Sequence, residues 1–340
     1  MTATVPRTDP PPASPPRRPR RALRFVSAAL LTAAAAAGGV PDLLFGLDQH
    51  SPFAQLVAYR PVVLVALAGW ALLLIGITCF RRRAWPFAAG ALAVVLAGAA
   101  MILPRTLADP VPTTGSPLTV LSFNVKEGGA DVAALAGLIG AEHPDLVSLP
   151  EAGERYRARL APLVERLGYR IRSAVPPGQP DVSGVTVLMA AGLGDLTVRE
   201  GYDTTRFPHL EVTGGALGSL RFVAFHAAAP VPWLIPQWRS DLGLLARWCA
   251  GPTPAIVAGD FNATLDHSAL RAGMAGCTDA ADQRGAGLEP TWGPNPALSA
   301  VGPQIDHVTA TGGIAAATFS VHDLPGSDHR AILTRMRLPA

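Results

Sequence analysis

The chain has 340 residues, 49 % of them hydrophobic, and a net charge of +3. Its mean hydropathy of +0.29 is high for a purely soluble protein. Residues 1–115 hold 11 arginines and 4 acidic residues, a net charge of +7, whereas residues 116–340 hold 17 basic and 21 acidic residues, a net charge of −4. The basic balance therefore gives no evidence for nucleic-acid binding, which would need positive charge on the larger part of the chain.

The N-terminal third has the pattern of a membrane region. Residues 61–80 and 84–103 carry no charge, and each run matches the roughly 20 residues that cross a bilayer as a helix. An Ala-rich stretch at 23–41 follows the basic segment RRPRRALR, a pattern that fits either an uncleaved helix, which we favour, or a secretory signal peptide. We therefore predict a membrane region over 22–103 with about three transmembrane helices, after a disordered basic N-terminus at 1–21.

The arginines predict the orientation of this region. Those in 17–24 and at 81–83 belong on the cytoplasmic side by the positive-inside rule. Three spans, or a cleaved signal followed by two spans, then place everything after Leu103 on the outer face. We expect a multi-pass protein of the cell membrane with an extracytoplasmic domain, joined to its helices by a Pro- and Thr-rich linker at 104–117.

The three cysteines are too few and too badly spaced for a structural zinc site. Cys79 lies inside a predicted span, and Cys249 and Cys277 lie in the outer domain. There the pair fits either a disulfide, which persists in an oxidising compartment, or two small buried hydrophobic residues.

Residues 118–340 alternate between strand-like and helical patterns. Strands are predicted at 118–125, 145–151, 184–190, 209–213, 220–226, 254–259, 304–310, 317–323 and 329–338. Helices are predicted at 131–142, 151–168 and 235–250. Mixed elements of this kind predict a layered α/β domain with two packed sheets and helices outside.

Polar side chains stand where the predicted strands begin or end, which is where a rigid scaffold presents active-site groups. They are Asn124, Glu151, His226, Asp260, Asn262, Asp306, His307, Asp328 and His329. Each alone fits a structural role, such as a turn residue or a buried histidine. As a set they predict a metal and phosphate site, because carboxylate and amide oxygens suit Mg²⁺ or Mn²⁺ and histidines beside carboxylates suit proton transfer.

Six motifs carry a resemblance to a known family. In chain order, LSFNV, the Glu of SLPE, GDFNA, PTW, IDHV and SDHRAI resemble the endonuclease/exonuclease/phosphatase superfamily over about 116–340. The resemblance implies a four-layer α/β sandwich over 118–340, two packed mixed β-sheets flanked by helices, preceded here by the transmembrane helices. The N-terminal spans resemble membrane-anchored actinobacterial members of the teicoplanin-resistance type, which leaves open a role in antibiotic resistance or in maintenance of the cell envelope.

The resemblance also implies a metal site. Asn124, Glu151 and Asp328 resemble the family's metal-site residues, with Glu151 as principal ligand. Many members have Gln before this Glu, and here the position is Pro150, so any contact of the Gln amide is in doubt. Mg²⁺, or Mn²⁺, is the cofactor that the resemblance implies.

Five further residues resemble the family's catalytic groups. Asp260 and Asn262 resemble the pair that orients the attacking water and the scissile phosphate. His329 resembles the catalytic histidine, with Asp306 as its carboxylate partner. His226 resembles the second histidine, which contacts the phosphate.

Three functions fit these expectations. The favoured one is a metal-dependent phosphatase or phosphodiesterase acting on a lipid-linked or cell-envelope phosphate, because the domain is tethered to the outer face of the bilayer and is itself acidic. A surface nuclease is disfavoured by the net charge of −4 on residues 116–340. A non-catalytic membrane-bound binding module is disfavoured by the intact set of acids and histidines.

Overall fold

The computed structural model describes residues 19–111, 113–295 and 299–339. Most of the segment predicted to be a disordered N-terminus, residues 1–18 of 1–21, therefore lies outside the described residues.

Three long helices lie in the segment predicted to be the membrane region, and that name is kept for the segment: α1 (Pro19–Gly39), α3 (Arg60–Phe80) and α4 (Trp85–Ile102). Each is long and apolar enough to cross a membrane, as predicted. They pack closely through small residues, since a Cβ added at Gly98 of α4 would come within 2.4 Å of Leu64 on α3. A short helix, α2 (Phe53–Val57), lies in the connection between α1 and α3.

The larger domain is built from two six-stranded sheets. The first has the order β11-β12-β1-β2-β4-β3 and the second the order β5-β6-β7-β8-β10-β9. The strands are β1 (Ser116–Ser122), β2 (Leu146–Pro150), β3 (Tyr169–Ala174), β4 (Val185–Ala190), β5 (Leu196–Gly201), β6 (His209–Gly214), β7 (Arg221–His226), β8 (Ala255–Asp260), β9 (Cys277–Asp279), β10 (Asp306–Thr311), β11 (Ala315–His322) and β12 (Ala331–Leu338). Both sheets are mixed, because β1 and β2 are parallel, β7 and β8 are parallel, and the other pairs are antiparallel.

Helices cover the outer faces of both sheets. They are α5 (Val132–Glu142), α6 (Glu154–Val164), α7 (Ile235–Leu244), α8 (Ala246–Cys249) and α9 (Ser268–Gly273). A further short helix, α10 (Ala280–Gln283), lies at the edge of the sheets, where its Ala280 joins the cluster between them. Apolar residues of both sheets, such as Val120 and Phe222, share one buried cluster between the sheets. Leu135 of α5 packs outside the first sheet and Trp238 of α7 outside the second. The architecture is the predicted pair of packed mixed sheets flanked by helices.

Three strands were not predicted from the sequence, namely β3, β5 and β9. All three lie at an edge of their sheet. Edge strands have one solvated side and often carry charge, as do Arg170 and Arg172 in β3 and Arg199 and Glu200 in β5, so their apolar alternation is weak. The predicted helix 235–250 divides at Leu245 into α7 and α8.

Cys249 at the end of α8 and Cys277 at the start of β9 form a disulfide, with their Cα atoms 5.0 Å apart. The sequence left open either a disulfide or two buried hydrophobic residues, and the structure contains the disulfide. Cys79 is a free, exposed cysteine on α3.

A buried ion-pair cluster joins the membrane region to the larger domain. The Arg60 side chain, at the start of α3, is fully buried and contacts the carboxylates of Asp42 and Asp266, the latter at 2.6 Å. Arg105 also reaches Asp266 Oδ1, at 2.9 Å. Asp266 belongs to the domain, Asp42 and Arg60 to the membrane region and Arg105 to the predicted linker, so two arginines and two aspartates from these parts neutralise one another at this junction.

Hydrogen bonds extend the same junction along residues 264–268, which follow β8. The Ser268 N–H donates to Asp48 Oδ2 at 2.6 Å. His267 Nε2 donates to the carbonyl of Ala54 at 2.8 Å. The domain thus sits on the end of the helices that carries residues 40–60, opposite the arginines at 81–83.

The segment predicted as a linker, residues 104–117, contacts the domain along part of its length. Ala108 forms an isolated β-bridge with Arg284. The Asp109 N–H donates to the carbonyl of Gln283 at 2.9 Å. These contacts give the domain a second attachment beside the ion-pair cluster.

Candidate active site

The polar residues singled out in the sequence meet at one end of the two sheets. Because β10 is antiparallel to β8, the start of β10 lies beside the ends of β7 and β8. His226, Asp260 and Asp306 are consequently direct neighbours across three adjacent strands. In the first sheet, Asn124 follows β1 and His329 precedes its antiparallel neighbour β12, so both reach the same end.

Asn124 connects the two sheets at this point. Its Nδ2 donates to Glu151 Oε1 at 3.0 Å and to Asp260 Oδ2 at 2.9 Å. Its Oδ1 accepts from the N–H of Lys126 at 2.9 Å, and the N–H of Glu127 donates to Glu151 Oε2 at 2.6 Å. An amide and two carboxylates from three strand ends therefore lie within hydrogen-bonding distance.

Two residues of the site, Glu151 and Asn262, have a backbone conformation with positive φ. Glu151 has a φ of 61° and Asn262 a φ of 49°. Left-handed backbone costs free energy in residues other than glycine, and it persists where the surrounding structure holds it in place. Glu151 directly follows the buried end of β2, and Asn262 stands two residues after the buried end of β8, so packed strand ends hold both residues there.

Asp260 is the central carboxylate of the site. Its Oδ1 accepts from the N–H of Asn262 at 2.8 Å, and its Oδ2 lies 3.4 Å from His226 Nε2 and 3.7 Å from His329 Nε2. Burial favours the neutral acid, but the histidines and the Asn124 amide outweigh burial and lower the pKa of Asp260. Asp260 is therefore ionised at neutral pH.

His329 and Asp306 form a buried pair, as their predicted partnership requires. His329 Nδ1 lies 2.9 Å from Asp306 Oδ2. Burial disfavours the charged imidazole, yet the carboxylates of Asp306 and Asp260 outweigh it and raise the pKa of His329 to about 9. The histidine is thus protonated at neutral pH, with Nδ1 held by Asp306 and Nε2 toward Asp260.

Asp328 lies beside this group and contacts a cation. Its carboxylate is 3.4 Å from Lys126 Nζ. Among the described residues, two clusters have ligand atoms close enough to hold a metal: the first is Glu151, His226 and Asp260, and the second is Asp260, Asp306 and His329. Asp328 belongs to neither cluster. Of the three predicted metal-site residues, the structure thus brings together Asn124 and Glu151 and leaves the Asp328 carboxylate on Lys126.

The comparison with protein families identifies the family of this chain. Residues 121–329 match the Endonuclease/Exonuclease/phosphatase family. The chain belongs to this family. The matched segment begins in β1 and ends at His329, so it contains every candidate site residue.

Solved structures share the fold of this domain. An endonuclease/exonuclease/phosphatase family protein from Bacteroides thetaiotaomicron has a TM-score of 0.52 at 14 % identity, over 67 % of this chain and 100 % of that one. A humanized TDP2 of D. rerio has a TM-score of 0.51 at 18 % identity, over 65 % and 99 %. An endonuclease/exonuclease/phosphatase from Beutenbergia cavernae has a TM-score of 0.50 at 20 % identity, over 66 % and 72 %. At these identities the likeness establishes the fold alone, and the search of curated proteins finds no match.

Membership of the endonuclease/exonuclease/phosphatase family makes the fold that of phosphoester hydrolases, enzymes that typically use divalent metals. The donor set fits such a metal, since Glu151 and Asp260 offer carboxylate oxygens, the ligand type of hard cations such as Mg²⁺ and Mn²⁺. The predicted metal ligand Asn124 instead turns its amide nitrogen to both carboxylates and its oxygen to the N–H of Lys126, so it positions the two acids. A nitrogen donor, His226, stands in the same cluster as Glu151 and Asp260.

Three supporting residues of this family site were not predicted from the sequence. The Thr291 hydroxyl accepts from the N–H of Asp306 at 3.0 Å. Phe207 stacks on the His226 ring, with centroids 3.6 Å apart. Lys126 contacts Asp328 as described above. Lys126 directly follows the strand predicted at 118–125 and Thr291 belongs to the PTW motif, but no local pattern in the sequence connects any of the three with its partner.

Ser327 and His307 have structural roles. The Ser327 hydroxyl donates to the carbonyl of Asn124 at 2.8 Å and accepts from the His329 N–H at 3.0 Å. His307 donates to Asp279 and to the carbonyl of Ala263, at 2.9 and 2.8 Å. Because successive side chains of a strand point to opposite faces, His307 faces away from the site that its neighbour Asp306 enters.

Proposed function

We propose that this protein is a membrane-anchored, divalent-metal-dependent phosphoester hydrolase whose extracytoplasmic domain acts on a lipid-linked or cell-envelope phosphate. The observation that carries the proposal is the buried chain Asp306–His329–Asp260, which ends beside the Asn124–Glu151 pair. A charged histidine, an ionised carboxylate and a hard-oxygen donor set at one point are the groups that phosphoester hydrolysis needs.

Glu151 and Asp260 would hold the metal through carboxylate oxygens, with Asn124 orienting both acids through its Nδ2 and Asp328 as a further candidate ligand. When bound, a divalent cation neutralises phosphate oxygens and steadies the leaving oxygen. Mg²⁺ is proposed first and Mn²⁺ second, because both prefer carboxylate and amide oxygens.

The chain's own residues supply the remaining chemistry. Protonated His329 donates through Nε2 to a phosphate oxygen, while Asp306 holds its Nδ1–H and so sets the orientation of the ring. Ionised Asp260 accepts a hydrogen bond from the attacking water and aligns it. Asn262 and His226, 3.4 Å apart, position the remaining phosphate oxygens.

The outer location is supported by two independent features. The disulfide between Cys249 and Cys277 belongs in an oxidising compartment. The domain also docks on the end of the helices opposite the arginines at 81–83, which the positive-inside rule assigns to the cytoplasm. The three apolar helices ahead of the matched residues likewise support the membrane-anchored actinobacterial subtype as part of the proposal.

Phosphate release from a lipid substrate and strand cleavage of DNA, both measured with full-length protein in lipid nanodiscs, test the function. The substrates are a polyprenyl diphosphate and a DNA duplex, each with Mg²⁺, with Mn²⁺ and with EDTA, and His329→Ala is the control for contaminating activity. We expect EDTA-sensitive release from the lipid alone. Cleavage of DNA alone would identify a surface nuclease, and no turnover of either substrate would favour a binding module.

A further inference from the structure

A cavity of about 240 Å³ lies between the membrane helix α3 and the domain. Tyr59, Val62 and Val65 line one side of it, and Leu288 and Pro303 belong to the other side, which leads into β10. Its lining is mostly apolar, so it suits a hydrocarbon group rather than a polar ligand.

The cavity is continuous with the surface that α3 presents to lipid. Val62 and Val65 are 47 % and 74 % exposed, and both belong to the apolar span Arg60–Phe80. They lie in the first two turns of α3, within roughly 8 Å of its start at a rise of about 1.5 Å per residue. In a bilayer this depth is the outer part of the acyl-chain region, so a lipid chain reaches the cavity without crossing water.

The domain side of the cavity also supports the catalytic pair. Pro290, which lines the cavity, accepts a hydrogen bond from Arg330 Nη1 at 3.0 Å. The next residue, Thr291, accepts from the N–H groups of Arg330 and Asp306 at 2.7 and 3.0 Å. One segment thus contacts the cavity on one side and orders the residues around His329 on the other.

The second segment that borders the cavity follows the catalytic strand β8. Thr264 and Asp266 line the cavity and stand two and four residues after Asn262. Asp266 is held by the buried Arg60 of the membrane region at 2.6 Å. Because breaking a buried ion pair is strongly unfavourable, the two sides of the cavity keep their spacing.

We propose that this cavity binds an acyl or prenyl chain of the substrate, so that the outer leaflet delivers a lipid phosphate directly to His329. The inference rests on the proposed function and adds to it the substrate class, a phosphate whose hydrocarbon chain remains in the bilayer. The occupant follows from the continuity of the cavity with the lipid-facing surface of α3.

The Val65→Trp substitution fills the cavity, and Leu72→Trp is the matched control. Leu72 lies two helical turns further along α3, is 69 % exposed and does not line the cavity. Each variant is assayed on a polyprenyl diphosphate, on dipalmitoyl phosphatidate and on water-soluble p-nitrophenyl phosphate. We expect Val65→Trp to lower kcat/KM by about tenfold on a lipid substrate, which corresponds to leaving about two methylene groups unburied. The water-soluble substrate should be unaffected in either variant.

Equal rates for Val65→Trp and Leu72→Trp on both lipids would overturn the inference, as would an equal loss on lipid and soluble substrates. The proposed function fails separately, if none of the three substrates is hydrolysed by the wild type in an EDTA-sensitive manner.

A second measurement does not depend on activity. A photoreactive residue is placed at Val65 or, as control, at Leu72, in vesicles of phosphatidylcholine with a minor amount of a polyprenyl diphosphate or of phosphatidate. Enrichment of either phosphate lipid in adducts at Val65 over those at Leu72 is the expected result. Adducts that mirror the vesicle composition at both positions would show ordinary surrounding lipid and refute a substrate site.

Discussion

His329 Nδ1 lies 2.9 Å from Asp306 Oδ2, and both side chains are buried. Two groups that act as one unit have strongly non-additive effects on catalysis. We therefore expect His329→Ala and Asp306→Ala each to remove most of the activity, and the double variant to lose little more than His329→Ala alone. The measurement is kcat/KM at saturating metal for the wild type, both single variants and the double variant.

His322→Ala, on the edge strand β11, is the control for that cycle and should retain wild-type turnover. Losses that multiply in the double variant would mean that Asp306 and His329 act independently. Asp306 would then be a buried structural acid.

Glu151→Gln keeps the shape of the side chain and removes its charge. Losing a group that holds transition-state charge costs on the order of a hundredfold or more in rate, so we expect at least that loss with an unchanged melting temperature. Glu154→Gln, at an exposed side chain in the first turn of α6 three residues further on, should have no effect. A Glu151→Gln rate near that of the wild type in limiting Mg²⁺ would exclude Glu151 as the metal ligand.

Topology is tested with reporter fusions. An alkaline phosphatase joined after Leu103 should be active, and one joined within 81–83 inactive, because this reporter folds only in an oxidising compartment. The reverse pattern would place the domain in the cytoplasm and remove the basis for an envelope substrate.

The disulfide between Cys249 and Cys277 closes a segment with a sequence separation of 28. Replacing both cysteines by Ala should lower the free energy of unfolding by about 2–4 kcal/mol, since the cross-link restricts the unfolded chain. The measurement is thermal unfolding of detergent-solubilised protein, with and without reductant. Cys79→Ala should melt like the wild type, and insensitivity of the wild type to reductant would contradict the cross-link.

Arg60→Met removes the fully buried cation shared by Asp42 and Asp266, which leaves Asp42 with Arg271 and Asp266 with Arg105. Removing one partner of a buried ion pair costs about 3–5 kcal/mol, so a large fall in melting temperature is expected, together with reduced activity because Asp266 follows Asn262 by four residues. Arg271→Met is the matched control. Arg271 also pairs with Asp42, at 2.7 Å, but its side chain is 39 % exposed, so solvent screens its charge and its loss should cost less than that of the fully buried Arg60. Equal effects of the two substitutions would show that burial of Arg60 is unimportant.

The sequence by itself determined the long apolar helices, the mixed α/β layers and the identity of the polar residues at strand ends. These features depend on local pattern: uncharged runs of about 20 residues cross a bilayer, and the central strand β8 is apolar up to the Asp260 at its end. Edge strands β3, β5 and β9 escaped prediction because their solvated sides dilute that periodicity.

Only the tertiary structure decided which of these residues meet. The 2.9 Å contact of Asn124 with Asp260 spans 136 positions and joins two different sheets, and neither strand order nor sheet packing can be inferred from local pattern. Local pattern likewise cannot predict the hydrogen bond between Thr291 and Asp306 or the contacts of Arg60 with Asp42 and Asp266. In each case a polar group is buried far along the chain from its partner, and the requirement that buried charges be paired is satisfied only once the sheets and the membrane helices have packed together.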